Sequence, residues 1–273
     1  MQQQPRQLPL VLLTGAIGEA AAVEALRSGI ADYLLKDHMG QLERVIARAL
    51  EVHQARLDKA RADGGGHIDV LINNAGVMPV GPFLDHSEQA VRTAVEVNFY
   101  GVLTGCRLVL PEMVARRRGH IVNIASLAGM LAVPGQALYA GTKFAVVGLS
   151  TALADEFEPQ GVQISCVMPT FTNTELIAGT NATGATRPVQ PADIAAAVVK
   201  TLDNPKTAVS VPYPLRFVAA ATAFLPPRGR RWLSAKMGTD RVFLDFDTQA
   251  RAAYEQRAQT ATGVLEPPKT QSD

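Results

Sequence analysis

Cysteine is nearly absent: Cys106 and Cys166 are the only two in 273 residues. There is no CxxC pair and no His/Cys cluster at metal-ligand spacing, which excludes a disulfide scaffold and a structural zinc site. Both cysteines fall in segments that read as a helix and a strand. The simplest reading is two core thiols in a reducing compartment, and a cytoplasmic location is expected. Charge of one sign is also lacking: the formal net charge is +1, with no long basic block. That removes any electrostatic case for a nucleic-acid partner. No stretch approaches the roughly 18 consecutive apolar residues of a membrane span. The longest apolar run, residues 217–225, precedes Arg228, Arg230, Arg231 and the single tryptophan, Trp232. It reads as a helix packed on the core or on a partner subunit, with an interfacial membrane contact as the lesser reading. The opening MQQQPRQLP lacks the charged-then-apolar order of a signal peptide.

What is present is an alternation of short apolar runs with segments of helical periodicity. Residues 10–13 read as a buried strand ending at Thr14-Gly15, followed by a helix over 19–27 closed by Gly29. Residues 33–36 form a second strand. Leu42, Val45, Ile46, Ala49, Leu50, His53 and Leu57 then fall at helical spacing up to the break at Gly64-Gly65-Gly66. Beyond it the pattern predicts strands over 68–72, 120–125, 162–168 and 208–211, and helices over 88–113, 138–158 and 191–202. Pro191 suits the first turn of the last of these. Residues 170–190, rich in Thr, Gly and Asn, read as a mobile loop, and the tail after Glu266 as disordered. Alternating strands and helices predict an α/β fold: a doubly wound, Rossmann-like parallel sheet in three layers. Ligands of such sheets bind outside the carboxyl ends of the strands, here Thr14, Lys36, Asn74, Ser126 and Pro169.

Tyr139 and Lys143 are four apart on one predicted helix and share a face. A phenol titrates near pH 10, and a neighbouring ammonium favours the phenolate. The pair is a device for moving a proton on or off an alcohol oxygen, and Ser126 at the preceding strand end could hold the same oxygen. Each feature alone is weak: Y-x-x-x-K recurs by chance, and a Ser at a strand end is usually a helix cap. Asn98 could simply bond a backbone carbonyl, and Asn74 and Gly76 could simply make a turn.

Together, Asn73-Asn74-Ala75-Gly76, Asn98, Ser126, Tyr139-Ala140-Gly141-Thr142-Lys143 and Pro169 resemble the short-chain dehydrogenase/reductase family over about three quarters of the chain. The resemblance implies an NAD(P)-dependent oxidoreductase that interconverts a secondary alcohol and a ketone by hydride transfer. Tyr139 would be the general acid/base and Lys143 would lower its pKa and bind the nicotinamide ribose. Ser126 would orient the substrate oxygen, and Asn98 would hold a relay water. Asn74, Ala75 and Gly76 would line the adenosine side of the cofactor. Pro169, Thr170 and Thr172 would face the nicotinamide, with Thr170 where the family carries glycine, and Thr174 would contact the cofactor carboxamide or phosphates. The family also implies a homodimer or homotetramer. Val102, Leu103, Leu108 and Val109 on one helix, and Phe144, Val146, Val147 and Leu149 on another, exceed what one core contact needs. Apolar side chains near 130–133, 176–177 and 217–225 point to an apolar alcohol or ketone substrate.

The opening departs from the family. Thr14-Gly15-Ala16-Ile17-Gly18 resembles its glycine turn with about three residues missing, and the resemblance would leave Gly15 and Gly18 to cradle the pyrophosphate. One strand-helix unit before Asn73 is missing. Residues 8–57, with Thr14 and Gly29-Ile30-Ala31-Asp32-Tyr33-Leu34-Leu35-Lys36-Asp37, resemble instead the last half of a response-regulator receiver domain. The expected organisation is therefore a receiver-like strand-helix-strand-helix segment over 1–63, a dehydrogenase core over 64–265 and a tail over 266–273. Asp37 lies about 20 residues past the glycine turn, where an acid would bond a ribose hydroxyl and favour NAD over NADP. Its alternative is an exposed Asp beside Lys36. The rival function is a non-catalytic cofactor-binding or signalling fusion protein with a damaged phosphate turn.

Overall fold

The computed structural model describes residues 10–13, 32–34, 58–62, 65–180, 188–236 and 238–261. The predicted helices over 19–27 and 42–57, the glycine turn, Lys36, Asp37 and the tail lie outside or almost wholly outside these residues.

Six strands form one parallel sheet: β1 (Leu10–Leu13), β2 (Asp32–Leu34), β3 (Val70–Asn73), β4 (Gly119–Ile124), β5 (Val162–Pro169) and β6 (Ala208–Val211). Their order is β2-β1-β3-β4-β5-β6. The doubly wound arrangement carries two strands outside its first; among the described residues this chain has one, β2. The register pairs Leu13 with Asn73, so β1 ends level with β3.

Besides the helical end over 58–62, the helices among the described residues are α1 (Glu88–Val95), α2 (Gly101–Ala115), α3 (Ala137–Phe157), α4 (Pro191–Asp203), α5 (Leu215–Ala223), α6 (Pro227–Lys236) and α7 (Thr248–Ala261). Strand side chains alternate between faces. Leu71, Ile121, Ile164, Cys166 and Met168 pack against Val102, Val109 and Met113 of α2 and Val146 and Ala154 of α3. Val70, Ile72, Val122 and Val167 face the other way, onto Val198 of α4. The result is the expected three-layer α/β sandwich. Both cysteines are buried free thiols in the first layer.

One predicted helix is broken. The segment 88–113 starts at the Ser87 cap, whose hydroxyl accepts from the Ala90 amide, but Glu96–Tyr100 form a π-helical turn between α1 and α2. Such widened turns cluster at functional positions, and this one carries Asn98. Among the described residues one helix, Ala137–Gln160, is long and apolar enough to cross a membrane. It contains α3, and its contacts with β5 and its buried Lys143 give it a core position.

A buried histidine marks the α4 side. His120 on β4 has its Nε2 2.8 Å from Ser165 Oγ on β5. Burial pushes its imidazolium from 6.5 down to about 4. Because the folded value is the lower one, the stabilisation is complete above pH 6.5 and is lost as pH falls through about 4. Between pH 7 and 4, urea melts should show the wild type losing about 3 kcal/mol more than His120→Asn. Parallel losses in the two proteins would refute this.

Candidate active site

The carboxyl edge of the sheet gathers the candidate residues. β3 runs into Asn74, Ala75 and Gly76, all half-buried; β4 leads to Ser126; β5 ends at the buried Pro169. Ser126 is indeed a cap, accepting from the Ala128 amide at 3.1 Å, and it also hydrogen-bonds Tyr139. The turn after Ser126 is pressed onto α3 at Gly129, where a Cβ would stand 2.7 Å from the Lys143 carbonyl oxygen. Any larger residue would push Ser126 away from the helix that carries Tyr139.

Tyr139 and Lys143 lie on successive turns of α3, with the ammonium 5.7 Å from the ring centroid. Lys143 is buried and donates to the Ile124 carbonyl at 3.0 Å. No carboxylate among the described residues pairs with it. Burial lowers its pKa from 10.5 to about 8. A buried ammonium with spare donors and no anionic partner suits a polyhydroxylated ligand such as a ribose.

Tyr139 corrects one expectation. Proximity to Lys143 was expected to lower its pKa, but burial dominates and pushes the phenol up to about 12, against the pull of the Ser126 hydrogen bond. Spacing along a helix conveys the neighbour and not the depth.

Asn98 clamps the segment beyond β3. Its Oδ1 accepts from the Val77 amide at 2.8 Å, and its Nδ2 donates to the Val77 carbonyl at 2.9 Å and to Thr142 Oγ1 at 3.0 Å. It thereby ties the Asn74–Gly76 stretch to α3. Asn98 Oδ1 and Lys143 Nζ flank Gly76, each 3.6 Å from where a Cβ would stand.

After Pro169, the Thr170 amide donates to the Val211 carbonyl, Thr172 Oγ1 donates to the Thr170 carbonyl, and the Thr174 amide donates to the Thr172 carbonyl. Among the described residues of this loop, Thr172 bridges Val189 and Glu175–Ile177 form a 3-10 turn. Residues 181–187 lie outside the described residues. Gly15, Gly18 and Asp37 do too.

The wall around Tyr139 is apolar: Met78, Val80, Val133, Phe171, Leu176, Ile177, Val242, Phe243 and Phe246. Two of the three segments expected to face substrate contribute here. The third does not, since Phe217, Val218 and Phe224 point outward. The C-terminal contribution was not foreseen. Phe243 stacks on Phe171 with centroids 5.3 Å apart, and Tyr254 and Arg251 of α7 grip the Met78 backbone from both sides. The apolar run Val242-Phe243-Leu244 was the available signal.

Residues 10–184, more than half of the chain, match the short chain dehydrogenase family. The chain belongs to that family. The match opens on β1 and so takes in residues 10–57, where a receiver-like segment was expected. Among curated relatives, the oxidoreductase UcpA of Escherichia coli (strain K12) is 36% identical over 184 residues, covering 60% of this chain and 70% of its own. The 3-ketodihydrosphingosine reductase of Bacteroides thetaiotaomicron is 44% identical over 110 residues, covering 40% of each chain. Among solved structures, a short-chain dehydrogenase from Streptomyces avermitilis superposes with a TM-score of 0.60 at 27% identity, covering 85% of this chain and 99% of that one. As a short-chain dehydrogenase, the protein is an oxidoreductase of the nicotinamide-dependent class.

Proposed function

We propose that this short-chain dehydrogenase interconverts an apolar secondary alcohol and the corresponding ketone, with Tyr139 as the general acid and base. The convergence of Ser126, Tyr139 and the unpaired buried Lys143 at one strand edge carries the reading. In the reducing direction the Tyr139 hydroxyl gives its proton to the substrate oxygen as negative charge develops there. Ser126 donates a hydrogen bond to the same oxygen and orients it. Lys143 stabilises the phenolate left behind, and a water shared by Asn98 Oδ1 and Lys143 Nζ returns the proton. A bound nicotinamide dinucleotide supplies or accepts the hydride. Lys143 would hold its ribose, Asn74, Ala75 and Gly76 its adenosine side, and Pro169, Thr170, Thr172 and Thr174 its nicotinamide side. NAD is favoured slightly over NADP on the position of Asp37.

The apolar wall supports an apolar substrate, and the Bacteroides relative, a reductase of 3-ketodihydrosphingosine, fits a ketone. We infer that residues 8–57 are receiver-derived and supply β1 and β2 in place of the usual opening. The single strand outside β1 among the described residues supports that reading. The exposed Tyr100 and Phe144 on the outward side of the α2–α3 layer support pairing as a homodimer or homotetramer.

Calorimetric titration with NADH and NADPH tests the proposal. One of them should bind saturably near neutral pH. Affinity should then fall, by up to about tenfold per pH unit at the steepest, as pH rises through about 8 and the Lys143 ammonium discharges. Lys143→Met should bind weakly with no such dependence. A folded protein that binds neither dinucleotide would favour the non-catalytic signalling reading.

A further inference from the structure

From Asn204 to Thr239 the chain contains no Asp or Glu, yet it carries Lys206, Arg216, Arg228, Arg230, Arg231 and Lys236. With six of the 26 basic residues here and none of the 25 acidic ones, the rest of the chain is net negative by five. A near-neutral total thus hides a one-signed stretch. The same stretch holds half of the exposed large hydrophobic side chains among the described residues: Tyr213, Phe217, Val218, Phe224, Leu225 and Trp232.

The geometry is that of an outward-turned amphipathic helix. On α5, Ala219 and Thr222 are buried, while Phe217, Val218, Ala221 and the C-capping Phe224 fall at helical spacing on the exposed side. Phe224 is 90% exposed. Pro226-Pro227 turns the chain into α6, where Trp232 is 63% exposed among exposed arginines. None of Arg228, Arg230, Arg231 or Lys236 forms an ion pair with the described residues. Instead the cations sit with the aromatics: Arg216 lies 4.6 Å from the Phe217 ring centroid and Lys236 5.1 Å from that of Trp232.

Apolar side chains flanked by unpaired cations, with an aromatic at the boundary, match the layering of a lipid interface: acyl chains below, anionic headgroups above. A second copy of the chain fits less well, because a two-fold contact would set six cations against the same six. We propose that the α5–α6 face docks on a membrane surface carrying anionic lipid. Docking is independent of the catalytic reading, and its test does not use turnover.

Trp232 is the only tryptophan, so its emission reports this face alone. The full chain is mixed with vesicles of equimolar phosphatidylglycerol and phosphatidylcholine, or of phosphatidylcholine alone, and followed by fluorescence and co-sedimentation. With the anionic vesicles Trp232 emission should shift to the blue and the protein should pellet, both weakening with salt. Each basic residue at an anionic surface is worth close to fivefold in partitioning, so Arg228→Gln/Arg230→Gln/Arg231→Gln together should lower it by roughly two orders of magnitude. Phe224→Ser should lower it about tenfold. Both variants alter exposed positions and should keep the parent circular dichroism and Tm. Absence of shift and pelleting, or equal binding to both vesicle types, would overturn the proposal. So would a solution dimer that Phe224→Ser dissociates without any vesicle binding, which would assign the face to a second copy.

Discussion

Tyr139→Phe should lower turnover of the alcohol or ketone by about two to four orders of magnitude, the range that a positioned proton donor supplies. Dinucleotide affinity should change by less than about twofold, because the phenol oxygen serves the substrate while Lys143 serves the ribose. The ring packs among Met78, Val80, Val242 and Phe243, and phenylalanine keeps that packing. Only the Ser126 hydrogen bond goes, and Ser126 retains the Ala128 amide as a partner. Fold stability should therefore move little. The pH profile adds a second check. Burial holds the phenol near 12, so below that value the residue is an acid in waiting. Oxidation of an alcohol, which needs the phenolate, should quicken as pH rises, while reduction should be flat or slow. Stopped-flow turnover beside calorimetric binding separates the outcomes. Equal loss of binding and turnover would remove Tyr139 from the acid/base role.

The parts of this fold that were legible in sequence are those whose partners are periodic. Strand alternation placed β3 through β6 within about two residues at each end, and Pro191 marked the start of α4. Ser126, Tyr139 and Lys143 were legible because strand ends and a four-residue helical spacing bring them to one edge. The π turn at Glu96–Tyr100 was not, because periodicity over 88–113 stays nearly helical when a single turn widens. The raised pKa of Tyr139 was hidden because its cause is burial under residues from 242–246, a hundred positions downstream. Arg251 illustrates the same limit. In a polar segment an arginine reads as a solvated charge, yet here it is 1% exposed, and the carbonyls it satisfies are far away in sequence.

Those carbonyls define the second large effect. The Arg251 guanidinium donates to the Leu176 carbonyl at 2.7 Å and to the Met78 carbonyl, and it stacks 4.3 Å from the Tyr254 ring centroid. The Tyr254 hydroxyl accepts from the Met78 amide at 3.2 Å. One helix turn thus fastens both walls of the site, the segment after β3 and the loop after β5. Around it, Asp247 caps α7 by accepting from the Gln249 and Ala250 amides, and the Asp247 amide donates to the Gly179 carbonyl. Gly179 has φ +75°, and a Cβ there would lie 2.5 Å from the Asp247 carbonyl oxygen, so the contact is backbone to backbone. Arg251→Leu would remove both charge-assisted hydrogen bonds to these carbonyls, leave the carbonyls without that donor, and also break the 3.4 Å ion pair with Glu255. Each such bond is worth about 1.5–3 kcal/mol, which predicts a loss of about 3 kcal/mol or more and a fall in Tm of roughly 6–12 °C. Arg251→Lys should recover only part, since a single ammonium on a shorter reach does not fork to both carbonyls. Hydrogen exchange supplies the discriminating measurement: amides around Met78 and over 174–180 should lose protection in Arg251→Leu, while those of α2 and β4 keep theirs. Because the segment after β3 and the loop after β5 are the ones proposed to line both substrate and cofactor, KM for the alcohol or ketone should rise and dinucleotide affinity should fall with it. A Tm within about 2 °C of wild type, or protection lost evenly across the sheet, would mean that α7 packs on the site without fastening it.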